Sequence, residues 1–176
     1  MTDDVAVWER LAALLPEAEA QEVKDCWDIG EQEAGLRQLV SGLLAHETPI
    51  SETTRAQLSV LAEVWGEREA LTPQILQCRR ADQTACLKLI ELDGGSAEAA
   101  LAESGHDPAD LVLVPWIVCA RCGQVLMRAH TRESWGGLSY LAQHYVITKP
   151  DHASVLQMFP SGSASTAFAA LQQECS

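Results

Sequence analysis

Apolar residues recur every three or four positions through the first 66 residues; beyond about residue 70 they gather into short runs separated by Gly, Pro and Asp. A period near 3.6 lays one helical stripe against a core, whereas short apolar runs bounded by turn residues fit strands. The change of texture predicts an α+β chain. An N-terminal helical bundle (1–70) is expected to pack on a mixed α+β half (71–176). With 176 residues, 47% of them hydrophobic, the chain is long and apolar enough to bury a core.

Residues 3–15 read as a first helix, with Val5, Trp8, Leu11, Ala12 and Leu15 on one stripe and Asp3 or Asp4 as the cap. Pro16 ends it or opens the next. From Glu17 to Ala45 the apolar positions Val23, Cys26, Trp27, Leu36, Leu39, Val40, Leu43 and Leu44 give one long helix or two abutting ones. Gly30 and Gly35 are its weak points or points of close approach. Ser51 caps a third helix, with Leu58, Leu61, Ala62 and Trp65 inward and Gly66 as its stop. Trp8, Trp27 and Trp65 fit the inward stripe. Residues 66–77 read as a connector with one more helical turn, too apolar to be a floppy linker.

In the second half, Ala85–Leu92 reads as a strand ending at the Asp93-Gly94-Gly95 turn, and Ser96 caps a short helix to Ser104. Leu111–Val118 is a buried strand that Pro115 places at an edge or a bulge. Gln124–Ala129 is its hairpin partner. Residues 138–148 fit helix or strand, 155–159 a further strand, and 163–173 a closing helix.

Charge divides with texture. Residues 1–70 hold 15 acidic and 5 basic residues, net -10; residues 71–176 hold 10 and 7, net -3, which together make the chain's -13. A face that neutralises phosphates needs clustered Lys and Arg, so nucleic acid is excluded as a partner. The longest apolar run, Leu111–Ala120, has ten residues, against roughly 20 for a bilayer span. No basic segment followed by an apolar one opens the chain, which predicts no leader and a cytoplasmic setting.

A reducing compartment makes disulfides the less natural use of the six cysteines. Cys119-Ala120-Arg121-Cys122-Gly123 sits at a strand–turn–strand, where a tight turn can aim two thiolates at one ion. Structural zinc takes four ligands. Cys119 and Cys122 would supply two, and Cys78, Cys86, His130 or His144 the rest. The alternatives are two buried thiols that bind nothing, or a redox pair. A Cys nucleophile assembled from Cys119 or Cys122 with His130 or His144 stays open, because such partners meet only in the fold. His46 at a helix end, His106 and His152 form no metal motif, and phosphate-binding and nucleophile-elbow motifs are missing. Whether the chain is an enzyme is left undecided. No cofactor is required beyond one structural zinc if the cysteines hold it.

Glu17, Glu19, Glu22, Asp25, Asp28, Glu31 and Glu33 crowd into 17 residues. This is a solvated helix face or, more sharply, a surface that steers and holds a basic protein through Glu22, Asp25, Asp28, Glu31 and Glu33. The segment Ile29-Gly30-Glu31-Gln32-Glu33-Ala34-Gly35-Leu36-Arg37-Gln38-Leu39-Val40, followed by His46-Glu47-Thr48-Pro49-Ile50-Ser51, resembles the Maf-type immunity family over residues 20–66. Its features are a Gly-Glu turn into an amphipathic helix and a Pro-Ile-Ser lead into the next. The resemblance implies a non-enzymatic neutraliser of a cognate polymorphic toxin, helical throughout; the second half lies outside it. The expected partner is thus a basic protein, with self-association left open and no membrane or nucleic acid involved.

Overall fold

The computed structural model describes residues 2–82, 85–90, 111–150 and 154–174, with side chains from Val5 onward. The expected cap at Asp3 or Asp4, the Asp93-Gly94-Gly95 turn, the Ser96–Ser104 helix, His106 and His152 lie outside the described residues. Helices fill the N-terminal part: α1 (Thr2–Ala12), α2 (Glu17–Asp28), α3 (Gln32–Ala45), α4 (Glu52–Val64) and α5 (Arg68–Gln77). Strands β1 (Leu87–Leu89), β2 (Leu111–Cys119), β3 (Val125–Thr131), β4 (His144–Thr148) and β5 (Val155–Pro160) precede the final helix α6 (Ala164–Glu174). The architecture is α+β, as the change of period predicts.

The chain divides into two compact units, Met1–Thr84 and Ala85–Ser176. The anticipated division at 70/71 falls inside α5, so the connector is a full helix of the first unit. Its sequence hides it: only Leu71 and Ile75 are buried, and Pro73 sits in its middle. Proline removes the hydrogen bond to the carbonyl four residues back, which marks most such stretches as non-helical.

In the helical unit the stretch 17–45 forms two helices. Gly30 adopts φ +83° between them, a conformation that costs glycine little and other residues more. Gly35 serves close approach instead. A Cβ there would lie 2.8 Å from Trp8 Cζ2 and 2.9 Å from Cys26 Cβ, so α3 rests directly on α1 and α2. Trp8 is buried and donates its indole N–H to the Val23 carbonyl at 3.0 Å. Its ring centroid lies 5.5 Å from Trp27 and 5.4 Å from Trp65, and these two half-buried rings stand 6.0 Å apart. Ser51 Oγ accepts from the Thr54 N–H at 3.0 Å and caps α4.

The ends of α4 and α5 are joined by buried ions. Arg55 is buried and donates to the Ile75, Leu76 and Cys78 carbonyls at 2.8, 2.7 and 2.6 Å, closing the C-terminus of α5. Glu52 lies 3.5 Å from Arg55 Nε and 3.1 Å from Arg80 Nε. Glu63 on α4 pairs with Arg68 on α5 at 2.9 Å. Burial lowers the Arg55 pKa, against the pull of Glu52.

The second unit is built on one antiparallel sheet of order β1-β2-β3-β4-β5. Each strand pairs with its neighbours in sequence, so no pairing crosses over another strand. β2 is therefore interior, and Pro115 is accommodated by a bulge: Pro115 pairs with Met127 but Ile117 with Leu126. The extra residue is Trp116, whose ring lies 6.0 Å from Tyr145 and 5.1 Å from the Arg128 guanidinium. α6 packs over β3, β4 and β5 through Ala164, Ala167, Phe168 and Leu171.

Candidate functional site

Two places carry the residues singled out by sequence. The first is the corner joining β2 to β3. Cys119 closes β2, fully buried, and pairs with Leu87 of β1. The turn is held by the Gly123 N–H to the Cys119 carbonyl and the Cys119 N–H to the Gln124 carbonyl, both 2.9 Å. Gly123 adopts φ +73°, and a Cβ there would meet Pro150 Cγ at 2.9 Å. This geometry brings the Cys122 N–H 3.4 Å from Cys119 Sγ. The Cys86 carbonyl accepts from the Ala120 N–H at 2.7 Å, so Cys86 also borders the corner.

Their sulfurs differ in state. Cys86 and Cys122 are exposed thiols, while Cys119 is disulfide-bonded. A disulfide sulfur is not a thiolate, so the corner as it stands does not offer Cys119 to a metal, and the expectation of reduced cysteines fails at this position. Cys78 belongs to the helical unit, at the C-terminus of α5, where its thiol donates to the Gln74 carbonyl at 3.5 Å. Burial pushes its pKa up, opposed by the Arg55 charge.

His130 is buried five residues along β3 from Val125. At about 3.3 Å per residue that is roughly 17 Å of strand. Its Nδ1 lies 2.8 Å from the Ser139 carbonyl and 3.4 Å from Ser139 Oγ. His144 opens β4, with no hydrogen-bond partner for its buried Nδ1 among the described residues. The sequence left open whether these histidines meet the corner; the antiparallel strands carry them toward the opposite end of the β2–β3 hairpin. Among the described residues no three His, Cys, Asp or Glu side chains gather as a metal site would require.

The second place is the turn between α2 and α3. Glu22, Asp25, Asp28, Glu31 and Glu33 are all exposed. Glu22 accepts from Gln38 Nε2, and Asp25 from Gln21 Nε2 at 2.7 Å. Asp25 and Asp28 stand in the last turn of α2, which holds no basic residue. There they face the negative end of the helix dipole, while Glu31 and Glu33 sit favourably at the start of α3. Amid these carboxylates Ile29 is 74% exposed. Composition identified the charges; the outward Ile29 carried no signal, because an isoleucine in an apolar-periodic stretch reads as core.

Arg37 donates through Nε and Nη2 to Glu67 at 2.7 and 2.5 Å. That bidentate pairing holds the Glu67 carboxyl below the usual carboxylate range and raises Arg37. Glu19 pairs with His46 at 2.7 Å. Compared with protein-family models, curated proteins and solved structures, the chain matches none.

Proposed function

We propose that the helical unit is a protein-binding module that holds a basic partner at the α2–α3 turn, in the manner of an immunity or regulatory protein. The observation that carries this reading is the exposed Ile29 in a turn where Asp25, Asp28, Glu31 and Glu33, its neighbours in sequence, are exposed as well. Asp25 and Asp28 face the unfavourable end of the helix dipole, and among the described residues only Asp25 is offset there by a helix pair, with Gln21. A partner with a basic rim around an apolar pocket would offset both. The carboxylates would speed its approach, and Ile29 would fill the pocket and slow its departure. The resemblance of residues 20–66 to the Maf-type immunity family is in keeping with a neutralising role by occlusion.

The test is affinity capture on the immobilised chain at low salt, followed by titration of the captured protein. A basic protein is expected, bound less tightly as salt rises, with affinity cut at least about tenfold by Ile29→Asp or by Asp25→Asn with Asp28→Asn. Capture of no basic protein, or equal affinity in both variants, would remove this reading.

A further inference from the structure

The last strand and helix hold a surface of the opposite kind. β5 is an edge of the sheet and is exposed along its length: Val155 by 50%, Leu156 by 42% and Met158 by 50%. Edge strands that must stay single usually carry lysine or an inward charge, because their free N–H and C=O groups invite another strand. Here the guards stand only at the ends, a register shift beside Thr148 and the missing N–H of Pro160. Between them Leu156, Met158 and Phe159 add apolar side chains, and among the described residues no strand pairs with the outer side of β5. From Val155 to Glu174, twenty residues hold a single ionising side chain, Glu174, in a chain that is 21% charged with net charge -13.

We infer that β5 is a self-association strand: two copies of the chain pair their β5 strands antiparallel about a two-fold axis and so continue the sheet. Charge selects this occupant. Two copies of so acidic a chain repel wherever carboxylates face each other, and β5, the edge strand, offers a stretch without them. In a two-fold pairing every residue of 155–160 opposes a member of the same uncharged set, with Leu156 and Met158 near the centre. The basic partner suited to the α2–α3 turn finds no carboxylate on β5. α6 packs over the same edge and turns Thr166, Ala169 and Gln173 outward, so its outer side is neutral too. A strand pair of this length lies at the small end of stable interfaces, about 1,200 Å² or less, which makes the dimer concentration-dependent.

Sedimentation equilibrium of the full chain, from low to high micromolar concentration, tests this. The expected mass rises from 19.1 kDa toward twice that value, with no loss of association in high salt. Leu156→Lys and Met158→Lys, at side chains already half in water, are each expected to hold the mass at a single chain. Amide exchange on the unmodified chain gives an independent readout: the amides of 156–159 should become more protected as concentration rises. A single-chain mass throughout overturns the inference, as does a dimer that persists in both variants with concentration-independent exchange at 156–159. Because the readouts are mass and exchange in β5, their failure leaves the α2–α3 reading intact.

Discussion

The turn between α2 and α3 and the edge strand β5 are both exposed, and both leave apolar side chains in water, yet they differ in what surrounds those side chains. Ile29 stands among carboxylates; Leu156 and Met158 stand in a segment with one charge in twenty residues. An apolar group flanked by charge is selective, because it admits only a partner that neutralises the flanking carboxylates. An apolar strand without charge is permissive, and what it meets is limited by backbone geometry and the rest of the molecule's field. Salt should therefore act on them in opposite senses, weakening the first contact and sparing or strengthening the second.

The comparison is sharpened most by asking whether the helical unit survives without its buried ion. Arg55→Leu removes three carbonyl hydrogen bonds and leaves Glu52 with only Arg80. Unfolding in urea should show a loss of roughly 3 kcal/mol or more, and the α2–α3 surface should lose its shape while pairing through β5 persists. Retained capture of a basic partner by an unfolded first unit would break the distinction.

A smaller effect is expected at the close approach of α3. Gly35→Ala gains about 1 kcal/mol of helix propensity but drives a methyl into Trp8 and Cys26, at a cost of about 1–3 kcal/mol. A net loss of stability and altered near-UV circular dichroism from the three tryptophans should follow. Smaller again, and opposite in sign, is Asp25→Asn with Asp28→Asn. Relief of the helix dipole should raise stability by a few tenths of a kcal/mol, on the order of 0.5, while affinity for the basic partner falls. Stability and binding moving in the same direction would contradict the reading of these residues.

The smallest effect concerns the Arg37–Glu67 pair. Glu67 titrates lower in the fold than in the unfolded chain, so its contribution is present above the unfolded carboxylate range and is lost as pH falls through the depressed value. A pH series of melting temperatures should lose part of its acid-side slope in Glu67→Gln, and high salt should mute the difference.

The fold class, four of the five N-terminal helices, the Ser51 cap and the Pro115 bulge were legible because each rests on local chemistry: period, a side-chain oxygen at a helix start, a missing N–H. What escaped depends on distant groups. α5 is closed by Arg55, thirteen residues before its first residue, which donates to its terminal carbonyls, and a charged residue in sequence reads as solvent-exposed. The state of the Cys119 sulfur depends on what approaches it in space. His130 and Cys119 are eleven residues apart in sequence, but an antiparallel hairpin sends them to different ends. The acidic half of the candidate site was written in composition; the outward turn of Ile29 follows from its place at the C-terminus of α2 and was not.

The bulge at Trp116 also sets a rule for insertions and deletions. The two halves of β2 keep opposite parity against β3, since Leu113 pairs with Ala129 but Ile117 with Leu126. Removing the buried Trp116 would empty its place against Tyr145 and Arg128, and removing a residue elsewhere in β2 would reverse the facing of those between the cut and the bulge. Loop 120–124 has no such parity to keep beyond the left-handed Gly123. Length variation in this unit should therefore be tolerated at the corner and forbidden within the nine residues of β2, so the arithmetic of a single strand limits how the chain can drift.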